Sequence, residues 1–132
     1  MKNNMTRIWF DGSSSPHKKN GAGWGVFVEY SDGRKKGFCG ALSDNCTNNQ
    51  AELSALGEAL KIAKMIPEDV VIFGDSKLVI DWYNAKVVLK SLKLIKIIKQ
   101  YNFFKDGPVL LDVKWIPRRE NKADFYAKIW KR

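Results

Sequence analysis

The amino-acid sequence predicts an α/β protein: a mixed five-stranded sheet with helices on both faces. Three observations predict it. Three β-type runs follow one another at the start with no helical pattern between them, as in an antiparallel meander. After them, helical periodicity alternates with short apolar runs, giving the order β-β-β-α-β-α-α-β-α. Finally, Val70-Val71-Ile72-Phe73-Gly74 is a continuous apolar run of strand length, which suits a central strand covered on both sides.

Arg7 to Asp11 forms the first strand, and Gly12-Ser13-Ser14-Ser15-Pro16 breaks it into a polar loop reaching about Asn20. Gly23 to Tyr30 is the second, with Trp24, Val26 and Val28 alternating against Gly25, Phe27 and Glu29. Ser31-Asp32-Gly33-Arg34 is a hairpin turn, because Asp-Gly tolerates the positive φ such turns need, and Lys35 to Leu42 returns. Thr47 or Asn48 caps a helix over about Asn49 to Met65, carried by Leu53, Leu56, Leu60 and Ala63. Ile66-Pro67-Glu68 ends it, the strand Val70 to Gly74 follows, and Ser76 caps a short helix through Tyr83. A longer helix is expected from Val88 to about Phe104, with Val88, Leu92, Ile95, Ile98 and Tyr101 on one side and four lysines elsewhere on its surface. Val109 to Ile116 is the last strand, Pro117 to Glu120 a tight connection, and Asn121 to Trp130 a terminal helix.

The 132 residues amount to about one domain, spanning 1–132, and 45% hydrophobic residues suffice for a core. No apolar run approaches the roughly 20 residues that span a bilayer. The N-terminus leads directly into Ile8-Trp9-Phe10, without the apolar stretch of a signal peptide. The expectation is a cytoplasmic monomer with no membrane partner. Cys39 and Cys46 are too few for a disulfide scaffold or, with a single histidine, for a zinc site, so both are expected as free thiols.

Charge is one-sided. Residues 1–75 hold 9 Lys+Arg and 9 Asp+Glu, whereas residues 76–132 hold 14 and 5, so the second half carries the whole formal +9. A basic half suggests a polyanionic partner, most often nucleic acid. A basic surface maintained for solubility is the other reading of the same balance.

Four acids stand out against these elements. Asp11 is expected to end the first strand and Asp75 the buried fourth, at the sheet edge where ligands bind in open α/β folds. Each follows an apolar run, ending in Phe10 and Phe73-Gly74, where a carboxylate is costly to desolvate unless a metal or partner compensates. Glu52 and Asp124 sit in the first turns of the Asn49 helix and the terminal helix. Acids near helix N-termini also serve the macrodipole, so each alone is ambiguous. Hard oxygen donors in a group suit Mg²⁺ or Mn²⁺.

The segments Ile8-Trp9-Phe10-Asp11-Gly12-Ser13, Thr47-Asn48-Asn49-Gln50-Ala51-Glu52-Leu53, Val71-Ile72-Phe73-Gly74-Asp75-Ser76 and Asn121-Lys122-Ala123-Asp124 resemble, in order and spacing, the four acidic motifs of type 1 ribonuclease H. Gly21-Ala22-Gly23-Trp24-Gly25 is similar to that family's second-strand entry. The resemblance implies the ribonuclease H fold and an endonuclease that cuts the RNA strand of RNA–DNA hybrids and leaves 5′-phosphates. It implies two Mg²⁺ ions, with Mn²⁺ as a substitute. Asp11 would bridge them, Asp124 would share the ion that activates water, and Glu52 and Asp75 would complete the other site. Asn48, Asn49 and Gln50 would contact 2′-OH groups or base edges, and Thr47 a DNA phosphate, alongside its capping role.

Three departures from the family pattern matter. The loop Ile116-Pro117-Arg118-Arg119-Glu120 lacks the histidine that many members carry there, and His17 lies in the first loop as a surface residue. Arg118 or Arg119 is a candidate to assist at the scissile phosphate, or simply part of a basic loop, and slower turnover is the expectation. Asn121 precedes Asp124 by three residues, where the commonest spacing is four. The stretch from Tyr83 to Leu92 is too short for the basic handle of larger members, so Lys90, Lys93, Lys96 and Lys99 are candidates for backbone attraction, against a plain solvated face. A non-catalytic nucleic-acid-binding module on this fold, and a related nuclease with other substrates, are the competing functions.

Overall fold

The computed structural model describes residues 5–14, 21–43, 46–103 and 110–129. Five strands, β1 (Met5–Ser14), β2 (Ala22–Glu29), β3 (Lys35–Ala41), β4 (Asp69–Gly74) and β5 (Leu111–Trp115), form one sheet in the order β3-β2-β1-β4-β5. β1, β2 and β3 pair antiparallel, while β4 and β5 run parallel to β1. The helices are α1 (Asn48–Ala63), α2 (Lys77–Tyr83), α3 (Leu92–Gln100) and α4 (Asp124–Ile129), with a 3₁₀ turn at Arg118–Glu120. This is the predicted mixed sheet in the predicted element order. No helix among the described residues is long and apolar enough to cross a membrane.

Alternation along β1 decides which layer each side chain joins. Ile8 and Phe10 are fully buried in a core shared with Val26, Val28 and Ile72 and roofed by Leu53, Leu56 and Leu60 of α1. β4 is buried along most of its length, as its apolar run requires. On the other face α4 lies against β2, and a Cβ at Gly25 would run into Tyr126 and Ala127. Phe27 stacks on Tyr126, their ring centroids 5.6 Å apart. The hairpin turn is as predicted, with Gly33 at φ 93°. Cys39 and Cys46 are free thiols, one exposed and one buried.

Three boundary expectations fail. The terminal helix begins at Asp124, after a turn over Lys122 and Ala123, and not at Asn121. β1 does not end at Asp11: pairing with β2 continues to Ser14, with Asp11 opposite Gly25 and Gly12 opposite Trp24. The Gly-Ser-Ser segment reads locally as a turn, yet the ladder to β2 holds it extended. The α3 helix starts at Leu92, not Val88, after Ser91 as its N-cap residue. Its inward side is Leu94 and Ile97, whereas Val88 and Leu92 are 80% and 82% exposed. The chain turns after α2, with Ala85 at φ 63°, and an apolar repeat carried through that turn mistakes a connection for a helix. His17, Phe104, Val109 and Trp130 lie outside the described residues.

Candidate active site

The site gathers where the two helix layers meet β1 at Asp11 and Gly12. Asp11 shares the face of its partner Gly25, on which α4 packs, while the next residue, Gly12, faces α1. A Cβ at Gly12 would run into the backbone of Ala51 and Glu52. Its absence lets α1 approach, so that the Gly12 N–H donates a hydrogen bond to Glu52 Oε1. Consecutive residues of one strand thus bring acids from both layers together.

Glu52 sits at the start of α1, which a capping box holds in place. Gln50 N–H donates to Thr47 Oγ1 at 3.2 Å and Thr47 N–H donates to Gln50 Oε1 at 2.8 Å. Asp75 follows β4 directly, and Ser76 beyond it accepts from Val79 N–H to cap α2. Trp115 Nε1 donates to the Asp75 carbonyl at 3.1 Å. Asp11, Glu52 and Asp75 each offer a carboxylate oxygen within 4.8 Å of the others, the one such group of three among the described residues.

Burial and crowding oppose ionisation. Asp11 is 5% exposed, and burial, then the charge of Asp75, raises its pKa from 3.8 to about 7. Asp124 adds to that rise. Glu52 is pushed up to about 10 by burial, then by the charges of Asp11 and Asp75. Two buried carboxylates that resist ionisation, with a third carboxylate oxygen within reach, call for a cation among them, and hard oxygen donors fit a divalent ion of the Mg²⁺ or Mn²⁺ kind.

Asp124 opens α4, outside that tight group of three but close enough to act on Asp11. Lys128 Nζ lies 3.1 Å from its Oδ1 and donates to its Oδ2 at 3.2 Å. Asn121 ties the acids together. Its Nδ2 donates to the Phe10 carbonyl and to Asp75 Oδ2, both at 2.9 Å, and its Oδ1 accepts from Ala123 N–H at 3.0 Å. Sequence reasoning used Asn121 only as a spacing mark and overlooked Lys128. A lysine four residues beyond an acid on one helix was the available signal for the latter.

A polar cleft of about 300 Å³ opens over the three acids, and Asn48, Asn49, Arg118 and Lys128 also line it. Gln50 and Thr47 are engaged in the cap instead. Arg119 belongs to a separate hollow of about 530 Å³ floored by Trp9 and Phe73. Lys90, Lys93 and Lys96 are exposed and line neither hollow.

Known proteins match this chain in sequence and fold. The family model for RNase H matches residues 3–117, a stretch that ends before Asn121 and Asp124. Ribonuclease HI of Campylobacter jejuni is 36% identical over 100 residues, covering 71% of this chain and 66% of the relative, so the chain spans just under two thirds of that relative's length. RNase H1 of the halophilic archaeon Halobacterium salinarum superposes with a TM-score of 0.80 at 26% identity, covering 96% of this chain and 97% of the other. LC11-RNase H1, solved in complex with an RNA/DNA hybrid, gives 0.75 at 25% identity and covers 92% of each chain. With most of its length matched by the family model and 96% of it superposed on a solved relative, this chain belongs to the ribonuclease H family.

Proposed function

We propose that the chain is a divalent-metal-dependent endonuclease that hydrolyses the RNA strand of RNA–DNA hybrids. The observation that carries the proposal is the convergence of Asp11, Glu52 and Asp75 within 4.8 Å beneath a polar cleft. Membership of the ribonuclease H family and likeness to a relative solved with an RNA/DNA hybrid support the substrate.

Asp11, Glu52, Asp75 and Asp124 would hold two Mg²⁺ ions, or Mn²⁺ in their place. When bound, such ions stabilise charge on a phosphodiester and lower the pKa of an attacking water. The chain's own groups prepare the site. The Gly12 N–H aims Glu52 inward, and Asn121 fixes Asp75 relative to β1. Arg118 faces the cleft, where its planar guanidinium can grip a phosphate in two places. Asn48 and Asn49 present exposed amides at the rim, able to recognise 2′-OH groups. The Thr47 hydroxyl accepts from Gln50 N–H and keeps its own hydrogen for a DNA phosphate. Of the two loop arginines, this reading assigns the phosphate to Arg118 and not to Arg119.

Labelled RNA–DNA hybrid, RNA duplex, DNA duplex and single strands, each incubated with Mg²⁺, Mn²⁺ or chelator, test the proposal. Metal-dependent cuts confined to the RNA of the hybrid are expected. Asp11→Asn and Asp75→Asn should each lower that activity by orders of magnitude while the circular dichroism spectrum is retained. Tight hybrid binding with no cleavage of any substrate would refute the assignment.

A further inference from the structure

Lys128 is placed to act on Asp124. Four residues separate the two on α4, which puts them on one helix face. The ammonium stands 3.1 Å from Oδ1 and 3.2 Å from Oδ2, so it straddles both oxygens of the carboxylate. Oδ1 is buried and accepts no directed hydrogen bond, so the ammonium's charge is its compensation. Lys128 also lines the cleft over Asp11, Glu52 and Asp75, on the cleft side of α4.

We propose that Lys128 is a positioning residue: a built-in counter-cation that holds Asp124 and competes with a divalent ion for it. The inference rests on the reading of Asp124 as a metal ligand. A divalent ion that enters beside the ammonium works against its positive charge at these distances, so ion entry weakens or displaces the Lys128 contact. Its four-carbon stem lets it swing while staying in the cleft. There the phosphates of a bound strand offer a second anionic partner. Lys128 thereby raises the ion concentration needed by the protein alone and relaxes that demand when a strand is present.

Calorimetric titration of Mn²⁺ into the protein without nucleic acid tests the idea. Wild type, Lys128→Gln, Lys128→Arg, Asp124→Asn and the Asp124→Asn/Lys128→Gln double variant are compared. Lys128→Gln should bind Mn²⁺ roughly two- to fivefold tighter, the span for removing a partly exposed ion pair. Lys128→Arg, which keeps the charge, should stay near wild type. Asp124→Asn should weaken binding and erase the difference made by Lys128→Gln. If Asp124→Asn leaves Mn²⁺ affinity unchanged, the reading of Asp124 as a ligand fails and the proposal with it. If Asp124→Asn weakens binding while Lys128→Gln matches or falls below wild type, the counter-cation role alone is overturned.

Discussion

Asn121 donates to Asp75 Oδ2 across 46 positions of sequence at 2.9 Å, and the same amide nitrogen donates to the Phe10 carbonyl. One buried side chain therefore sets the distance between β1, the carboxylate after β4 and the start of α4. The shorter spacing between Asn121 and Asp124 does not prevent this, because Asn121 Oδ1 also accepts from Ala123 N–H and folds the intervening residues into a turn. Asn121→Ala should lower kcat roughly ten- to a hundredfold, as loss of an outer partner of a ligand does. It should also cost about 1–3 kcal/mol of stability by orphaning buried polar groups. Steady-state kinetics and denaturant unfolding check the two effects separately.

Gly12→Ala probes the close approach of β1 and α1. The new methyl meets the Ala51 and Glu52 backbone, so the helix must retreat. A loss of about 1–3 kcal/mol is expected from overpacking. Activity should fall further than stability alone explains, because the Gly12–Glu52 hydrogen bond is broken. Activity measured well below the melting temperature distinguishes the two.

Stability in chelator should depend on pH in an unusual direction. Asp11 is raised from 3.8 to about 7 and Glu52 from 4.5 to about 10. Between the unfolded and folded values the folded chain holds more protons than the unfolded one, so unfolding becomes easier as pH rises. Their contribution is fully present below about pH 4, fades through about 7 for Asp11, and continues to fade towards about 10 for Glu52. Melting temperatures in chelator should fall across that range more steeply for wild type than for Asp11→Asn. Equal slopes would contradict the crowding described above.

Lys90, Lys93 and Lys96 are exposed on α3 and its approach, away from the cleft. Neutralising all three should weaken hybrid binding at low salt and reduce the log–log salt slope by as much as about three. Unchanged affinity at low salt would return these lysines to the status of a solvated face. Fluorescence anisotropy over a salt series provides the measurement.

The element order was legible because its signals are strong and local: a turn at Asp32-Gly33, helical periodicity in α1, an unbroken apolar run in β4. The boundaries of β1 and α3 were not, because tertiary pairing and a turn override local pattern there. Within the site, Asp11, Glu52 and Asp75 were visible as acids in family-like motifs and do come together, although Asp11 lies inside β1 and not at its end. The roles of Asn121 and Gly12 were hidden, since each acts through a partner 40 or more positions away. Thr47 and Gln50 show a milder form of the problem. Their local capping and a contact with substrate call for the same residue types.

The Asn121–Phe10 hydrogen bond joins residues 111 positions apart. Closing so long a loop is among the last events as a chain orders, and the short helix beyond it has little local support of its own. The proposed activity should therefore report completeness. It should appear only once the final segment has docked, and on warming it should be the first property lost, while most of the sheet is still intact.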